Sequence, residues 1–297
     1  MRFVQGVVRV WVQICENVFI HFKRVNALEA NGRPVKIVVS LTSYPSRIKK
    51  VSYAIKSLML QTVRPDRIVL WLSELQFPDK KLPKNLEALV KKGVEVRFTK
   101  DDLISHKKYY YALKQQRPDE VVITFDDDLI YDNRTIERLV AVHKDFPKSV
   151  VVNRGGYVNA EPDGRINRHG YWRLYHDEGV LQESFNIVPS TGAGCLYPYG
   201  VMPTSTFNKK EFGQLARFAD DIWIWHNCVR AGVSVVKISK ESRTLCEIFG
   251  SQKETLREIN DVRNGNDVVL RKLSEKYPDI FEKCRIGFSE WNRRERQ

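Results

Sequence analysis

The chain has 297 residues, which is enough for one large domain or two modest ones. Hydrophobic residues make up 42% and aromatic residues 11%, so the sequence can build a packed core and is not that of a disordered protein. Lysine and arginine outnumber aspartate and glutamate by 49 to 36, a net charge of +13. This balance favours an anionic partner such as nucleic acid, an acidic lipid surface or a phosphorylated substrate.

The five cysteines are scattered along the chain and form no C-x-x-C pair. This pattern argues against a disulfide framework and against a structural zinc site. It is typical of free thiols in a reducing compartment, so we expect a cytoplasmic location.

Residues 1–28 are predicted to form an amphipathic helix, with apolar side chains on one stripe and mostly basic side chains opposite. The stripe consists of Val4, Val8, Trp11, Cys15, Val18 and Phe22, and Ile20 is the one clear violation. The longest uncharged run is far shorter than the roughly 20 residues that span a bilayer, and no small-residue cleavage site follows. We expect this helix to lie on the anionic inner face of the cell membrane; docking on the protein's own core or on a second copy is the alternative.

From residue 35 onward, strand and helix patterns alternate as they do in an α/β domain. Apolar runs typical of buried strands cover 35–41, 67–72, 94–98, 121–125, 150–153 and 233–238. Amphipathic segments typical of helices cover 51–61, 86–92, 107–116, 135–143 and 218–231. The polar, Gly-rich stretch 160–182 predicts a long functional loop. We predict one central domain over residues 35–245 and a helical, basic C-terminal appendage over 246–297.

The strongest chemical signal is an acidic triplet, Asp126, Asp127 and Asp128, directly after the predicted strand 121–125. Ligands of open α/β sheets bind outside the carboxyl ends of the strands. Three adjacent carboxylates repel one another unless a cation or solvent offsets them, and in an extended chain Asp126 and Asp128 point to the same side. Such hard oxygen ligands suit Mg²⁺ or Mn²⁺. A solvated acidic turn is the alternative.

A second acidic pair, Asp220 and Asp221, opens the apolar helix predicted over 218–231. Aspartate at a helix start is commonly a cap, and that role suits one of the two residues. The carboxylate of the other is then free for chemistry.

Four pieces of the chain together resemble one known family: S-L-T-S-Y-P-S-R after the first strand, K-K-Y-Y-Y-A-L before the fourth, F-D-D-D-L-I-Y and F-A-D-D-I-W. The chain is similar to GT-A-fold glycosyltransferases, with the family 2-like enzymes of bacterial surface polysaccharide synthesis as the nearest kin. The resemblance covers about residues 35–245. It implies an α/β, Rossmann-type mixed and mostly parallel sheet flanked by helices. It also implies transfer of a sugar, with inversion, from a nucleotide diphosphate such as a UDP-sugar to a glycan or lipid-linked glycan, in the synthesis of lipopolysaccharide O-antigen or capsule.

The resemblance also assigns roles to the acidic residues. The triplet matches the family's D-x-D element, so Asp126 faces the donor ribose, Asp128 faces the metal and diphosphate, and Asp127 shares either role. Mn²⁺ or Mg²⁺ is the implied cofactor, held by Asp128 and Asp126. In the family, an acidic pair at this place supplies the general base that takes a proton from the acceptor hydroxyl. The pair D-D stands here where many relatives have E-D, and Asp221 is our choice for the base, with Asp220 as a cap or an acceptor ligand. Many relatives use a late histidine as an extra metal ligand, but no histidine follows His226 here.

The remaining candidate residues belong to loops around the expected donor site. By resemblance, the loop after the first strand receives the nucleotide base and ribose, and its members are Thr42, Ser43, Tyr44 and Arg47. Lys108, or its neighbour Lys107, opens a helix where a cation meets a diphosphate. Glycines at 192 and 194 permit close backbone approach to a sugar. The composition of the long loop suggests acceptor contacts from His169, Tyr171, Trp172 and His176.

Other functions remain open at this point. A sugar-phosphate nucleotidyltransferase has a related fold, but its Gly-rich phosphate loop is missing, because S-L-T-S-Y-P-S-R contains no glycine. A basic nucleic-acid-binding protein without catalysis should concentrate its positive charge in one stripe, whereas here the charge is distributed. A phosphohydrolase would usually want more metal ligands than the triplet supplies. The first helix could also pair with a copy of itself in a homo-oligomer.

Overall fold

The structure is a computed structural model that describes residues 2–29, 32–158, 180–238, 245–251 and 265–294, with side chains described from residue 11 onward. Within these residues the strands are β1 (Lys36–Thr42), β2 (Arg67–Ser73), β3 (Glu95–Thr99), β4 (Glu120–Phe125), β5 (Leu129–Ile130), β6 (Val150–Val152), β7 (Gly155–Tyr157), β8 (Ile187–Pro189), β9 (Ala193–Tyr197), β10 (Val235–Lys237) and β11 (Cys246–Glu247).

The helices of the same residues alternate with these strands through most of the chain. They are α1 (Arg2–Phe22), α2 (Val51–Met59), α3 (Lys84–Val90), α4 (Lys107–Lys114), α5 (Thr135–Asp145), α6 (Lys209–Leu215), α7 (Asp220–Arg230), α8 (Gly265–Lys276), α9 (Asp279–Ile286) and α10 (Phe288–Arg294). The loop predicted over 160–182, with its candidate acceptor residues, lies almost entirely outside the described residues.

Seven strands form one mixed sheet in the order β10-β6-β9-β4-β1-β2-β3. Every neighbouring pair is parallel except the two pairs that include β9, which runs antiparallel to both β4 and β6. The order β4-β1-β2-β3, with helices in the connections, is the doubly wound arrangement of Rossmann-type domains. The predicted fold class, a mixed and mostly parallel sheet flanked by helices after an N-terminal helix, is therefore confirmed.

Both faces of the sheet are buried, which is why its strands read as continuous apolar runs. Along β1, Val38 belongs to the core on one face, whereas Ile37 and Val39 belong to the core on the other. Helices α2, α3 and α5 cover the second of these faces, and α4, α7, α8 and α9 cover the first. Residues of α8 and α9 share one hydrophobic cluster with α7; the division into three units at residues 28 and 246 stays a prediction.

Helix α1 docks on the sheet domain by one edge of its second half. Ile20 is only 2% exposed and joins the core beside α2. Asn17 Oδ1 accepts a hydrogen bond from the backbone N–H of Phe249 at 2.9 Å. Lys56 Nζ donates to the carbonyl oxygens of Ile20 at 3.2 Å and His21 at 2.9 Å, which satisfies groups that a helix C-terminus leaves unpaired.

The opposite edge of α1 is apolar and faces solvent. The side chains of Trp11 and Phe22 are 63% and 76% exposed, and Val12, Cys15, Val18 and Phe19 are exposed beside them. Ile20 violated the sequence stripe because it is the side chain that anchors the helix. Within the described residues, no helix combines the length and the apolarity that crossing a lipid bilayer requires.

This geometry predicts that truncating the two edges of α1 lowers stability by very different amounts. Ile20→Ala leaves a cavity in a packed core, so it should lower the free energy of unfolding by about 2 kcal/mol or more. Phe22→Ala removes an exposed ring and should change that free energy by less than about 0.5 kcal/mol. Urea denaturation of the full chain measures both values. A larger loss for Phe22→Ala than for Ile20→Ala would contradict the docking orientation.

Candidate active site at the carboxyl edge of the sheet

The acidic triplet lies at the edge where the parallel strands of the sheet end. Strands β1 and β4 are parallel neighbours, so the loop after Thr42 and the triplet after Phe125 leave the sheet side by side. Strand β9 runs the other way, so its first residue, Ala193, pairs with Phe125 at this same edge. The backbone N–H of Asp126 donates to the carbonyl oxygen of Gly192 at 2.9 Å. Three loops that are far apart in sequence therefore converge on one site.

One half of the site is the Arg47 cluster, which consists of Ser43, Arg47, Asp127 and Asp128. A single guanidinium nitrogen, Arg47 Nη1, lies 2.9 Å from carboxylate oxygens of both Asp127 and Asp128. The Ser43 hydroxyl donates to the other oxygen of Asp127, and Arg47 Nε donates to the carbonyl oxygen of Ser251 at 3.0 Å. The arginine thus fastens the loop after β1 to the triplet.

Burial and charge act in opposite directions in this cluster. Burial lowers the pKa of Arg47, but the carboxylates of Asp127 and Asp128 raise it by more, so the guanidinium stays charged. Burial raises the pKa of Asp127, and Arg47 and Ser43 offset only part of that rise. The alternation expected of an extended chain is not kept here, because the chain bends after Asp126 and the carboxylates of Asp127 and Asp128 meet at one nitrogen.

The other half of the site is the Lys108 cluster, which consists of Lys108, Asp126, Thr191, Asp220 and Asp221. The buried ammonium group of Lys108 lies 2.7 Å from Asp126 Oδ1 and 3.0 Å from Asp220 Oδ2. Burial lowers the pKa of Lys108, but Asp126, Asp220 and Asp221 raise it well above its ordinary value. One cation therefore joins the triplet to the acidic pair of α7.

Thr191 links the two carboxylates of that pair. Its hydroxyl lies 2.7 Å from Asp220 Oδ2 and 2.5 Å from Asp221 Oδ1, and its backbone N–H donates to Asp221 Oδ1 at 2.9 Å. A hydroxyl group has one hydrogen to donate, so Thr191 donates to one of the two carboxyl groups at a time. The ammonium group of Lys108 favours the ionised form of Asp220.

The pKa values of Asp220 and Asp221 shift in opposite directions. Burial raises the pKa of Asp221, and the neighbouring charge of Asp220 adds to that rise. Burial by itself also raises the pKa of Asp220, but Lys108 outweighs burial and holds that pKa below the ordinary value. Two adjacent carboxyl groups with separated pKa values are the arrangement that enzymes use to divide acid–base roles.

Gly192 is the point of closest approach in the site. A Cβ atom at this position would lie 1.7 Å from Asp126 Oδ2, so no other residue fits without moving that carboxylate. Gly194 has a φ of +103°, which favours glycine, and packs against core side chains of Phe125 and Leu139. Of the two glycines predicted to approach a sugar, only Gly192 lies against a carboxylate of the site.

The remaining predicted residues take different positions. Tyr44 is half-buried, with its ring centre 5.3 Å from the Arg47 guanidinium carbon. The Thr42 hydroxyl donates to the carbonyl oxygen of Trp71 in β2 at 2.9 Å. The ammonium group of Lys107 pairs with Asp102.

Sequence reasoning missed Thr191, Ser251 and Tyr131. The Tyr131 hydroxyl bonds to the backbone of both Asp126 and Gly192 and so supports the turn under the triplet. The only signal for Thr191 was its position next to the two glycines. The Ser251 contact is made by a backbone carbonyl oxygen, which no residue pattern encodes.

The donor atoms fit a hard divalent cation in type. Among the described residues no group of three or more histidine, cysteine, aspartate or glutamate side chains could hold a metal ion unaided. The side chain of Asp126 is 41% exposed, against 14% for Asp128 and 6% for Asp127. A site of one or two carboxylates that is completed by phosphate oxygens and water is the usual arrangement for Mg²⁺.

Comparisons with known proteins add little. No protein-family model and no curated protein matches the chain. Among solved structures, it is similar to the mannosyltransferase PcManGT from Pyrobaculum calidifontis, in complex with GDP-Man and Mn²⁺, at 10% identity and a TM-score of 0.42, over 78% of this chain and 64% of that one. The chain thus spans less than two thirds of the mannosyltransferase.

Two further solved structures are similar to the same degree. One is 4-diphosphocytidyl-2C-methyl-D-erythritol synthase from Anaerococcus prevotii, at 12% identity and a TM-score of 0.41, over 71% of this chain and 94% of that one. The other is CMP:2-keto-3-deoxy-manno-octonic acid synthetase complexed with CTP, at 12% identity and a TM-score of 0.41, over 68% of this chain and 88% of that one. Similarities of this size do not transfer an activity or a ligand.

The close contact at Gly192 predicts a selective effect of one added methyl group. Gly192→Ala should displace the Asp126 carboxylate and weaken the binding of any ligand held by Asp126, by about tenfold or more. Gly213→Ala is the control, because nothing lies within 4 Å of its Cβ position. Titration with a nucleoside diphosphate and Mn²⁺, followed by calorimetry, compares the two variants. Equal affinities would contradict the assigned contact.

The raised pKa of Asp221 predicts a particular pH dependence of stability. A carboxyl group whose pKa is higher in the folded than in the unfolded chain favours folding at low pH and opposes it as pH rises through the folded-state pKa. From about pH 4 up to that pKa, Asp221→Asn should therefore gain stability relative to the unmodified chain. Urea midpoints at a series of pH values measure the difference.

Proposed function

We propose that this protein transfers a sugar from a nucleotide diphosphate donor, such as a UDP-sugar, to a hydroxyl group of a glycan or lipid-linked glycan. One observation carries the proposal: the buried cation of Lys108 lies between a carboxylate of the triplet, Asp126, and the acidic pair that contains Asp221. A donor-binding element and a candidate base therefore share one edge of the sheet. Sugar transfer needs both within one substrate's length of each other.

Asp221 is the proposed general base. Its raised pKa suits a group that must take a proton from an acceptor hydroxyl near neutral pH. Asp220, held ionised by Lys108, keeps a negative charge beside Asp221 and so makes it a stronger base. One base, with no second carboxylate assigned as a nucleophile, corresponds to direct displacement with inversion at the anomeric carbon.

Arg47 and Lys108 are the proposed cationic contacts of the donor. Both are charged and both already lie against carboxylates of the triplet. Asp128 and Asp126 would hold Mn²⁺ or Mg²⁺, which would neutralise charge that develops on a departing diphosphate. Ser43 and Tyr44 belong to the loop that Arg47 fastens, so they are proposed to contact the base and ribose. Thr42 would act through the backbone of the same loop.

The main alternative function is sugar-phosphate nucleotidyl transfer. It would leave one feature of the site, the raised pKa of Asp221, without a role. Its nucleophile is a phosphate oxygen, which is ionised near neutral pH and needs no base. A buried carboxyl group of raised pKa, such as Asp221, would then have no task. Binding of nucleic acid without catalysis would leave the Lys108 cluster without any role.

The proposal also includes a cellular location. We place the enzyme on the inner face of a bacterial cell membrane, in the synthesis of surface polysaccharide, with its lipid-linked acceptor in the same bilayer. The solvent-facing apolar edge of α1 supports this location, because an apolar helix edge beside basic residues suits the membrane interface. The same edge would also serve a homo-oligomer.

Two carboxylate variants test the proposed division of roles. Asp128→Ala should weaken the binding of a nucleoside diphosphate in the presence of Mn²⁺ by about tenfold or more, because a proposed metal ligand is lost. Asp221→Asn should bind the donor normally but transfer sugar about 10²–10⁴-fold more slowly. Thermal-shift screening of nucleotide sugars with Mn²⁺ first identifies the donor. Full activity of Asp221→Asn would refute the base assignment.

A further inference from the structure

A groove of about 680 Å³ lies where α1 meets the sheet domain. Val18 and Phe22 of α1 form one side. The other side is lined by Lys49 and Lys50, which lie just before α2, and by Lys84, the first residue of α3. None of the described residues that line the groove is an aspartate or a glutamate. The groove is therefore basic on one side and apolar on the other.

The lysines of the groove carry positive charge that no carboxylate among the described residues neutralises. Within the described part of the chain, none of the three forms an ion pair with a carboxylate, whereas Lys80 pairs with Glu74 and Lys209 with Asp101. Like charges held close together repel one another, and an anionic ligand removes that repulsion. The groove is thus complementary to a phosphate group.

The rim of the groove continues the apolar edge of α1. Phe22 and Phe249 both line the groove, and they are 76% and 50% exposed. Trp11 and Phe19 are exposed along the same helix. A ligand that places a phosphate on the lysines can therefore lay hydrocarbon against these rings. Only an amphiphile uses both parts of this surface.

We propose that the groove binds the phosphate headgroup of an anionic membrane lipid, while the apolar edge of α1 enters the acyl region beside it. The inference rests on the membrane location in the proposed function and not on the transfer chemistry. It names the contact surface and fixes how the protein faces the bilayer.

A second copy of the chain suits this surface less well. A symmetric pair of α1 edges would bring the lysines of two grooves near each other, where their charges repel. A bilayer with anionic lipids supplies opposite charges and hydrocarbon at once, and each lysine near such a surface strengthens binding. Nucleic acid would meet the lysines but would leave Trp11, Phe22 and Phe249 in water.

This orientation brings the sheet edge with the candidate active site close to the membrane. Ile248 lines the groove, and its backbone N–H donates to the carbonyl oxygen of Asp128 at 2.8 Å. The next residues, through Ser251, continue to Arg47. A lipid in the groove therefore lies one chain segment away from the acidic triplet. A lipid-linked acceptor would meet the site without leaving the bilayer.

Sedimentation of the full chain with vesicles tests the groove. Wild-type protein should bind vesicles of phosphatidylcholine and phosphatidylglycerol in equal parts, and should not bind vesicles of phosphatidylcholine alone. Lys49→Glu combined with Lys84→Glu should weaken binding to the anionic vesicles by about a hundredfold or more, because two attractions become repulsions. Lys49→Arg combined with Lys84→Arg should retain binding.

A matched control separates the groove from net charge. Lys144→Glu combined with Lys148→Glu changes the net charge by the same amount at exposed positions in and just after α5. This pair should keep the affinity within a few-fold of wild type. Equal losses in the two pairs, or no loss in the groove pair, would overturn the proposal. Binding of glycerol phosphate in solution as tight as the binding of anionic vesicles would point to a soluble ligand and would also overturn it.

Two further measurements test the apolar edge of α1 and the binding of the nucleotide donor. Phe22→Ser should weaken vesicle binding on the order of tenfold, and Trp11 emission should be quenched by brominated lipids, as judged against Trp11→Phe. A wild-type dimer that Phe22→Ser dissociates, without vesicle binding, would instead assign the edge to a second copy. Nucleoside diphosphate binding with Mn²⁺ should be unchanged by the groove variants. Loss of lipid binding with intact donor binding, or the reverse, tells the two proposals apart.

Discussion

The contact of the Lys108 ammonium group with Asp126 and Asp220 is the interaction on which the rest of the site depends. Two unit charges about 4 Å apart interact by about 4 kcal/mol near a protein surface, so the carboxylates that Lys108 faces would repel one another strongly without a cation between them. A lysine in the first turn of a helix opposes the helix dipole. Lys108 lies in the first turn of α4, where a positive charge is unfavourable. The attraction of Asp126 and Asp220 outweighs this unfavourable effect.

Arg47 and Lys108 have different roles in the site because their charged groups differ in shape. The guanidinium group of Arg47 is a rigid fork that reaches Asp127, Asp128 and the Ser251 carbonyl oxygen at once, so it fixes geometry. The ammonium group of Lys108 is a point charge, so it chiefly sets which carboxyl group of the acidic pair ionises first. Asp126, the most exposed member of the triplet, faces the lysine rather than the arginine.

Much of this arrangement was visible in the sequence. The strands and longer helices follow from apolar runs and helical periodicity, because burial on both faces of a parallel sheet leaves a clear pattern. The triplet and the acidic pair were found because charged residues at the ends of apolar segments are conspicuous. The contact of Lys108 with both acidic groups could not be predicted from the sequence. It depends on the order of the strands in the sheet, which brings distant parts of the chain together.

The misses have physical reasons of their own. The extended-chain alternation failed at Asp127, because a bend next to a strand depends on tertiary contacts such as the one with Arg47. Thr191 was missed because a threonine beside glycines looks like an ordinary turn. The periodicity of α1 correctly predicted a helix, but it does not show which edge of the helix contacts the protein. The buried side chain of Ile20 determines that edge.

The reversed direction of β9 has an evolutionary consequence. In a purely parallel sheet the loops that leave the strands build the ligand site, and each is tied to the strand before it. Here Thr191 and Gly192 belong to a loop that enters a strand, after the chain has returned from β8. Mutation and insertion upstream of β9 can therefore reshape the part of the site around Thr191 while β1 and β4 hold the acidic triplet in place. Such a chain can change one half of its site without rebuilding the other.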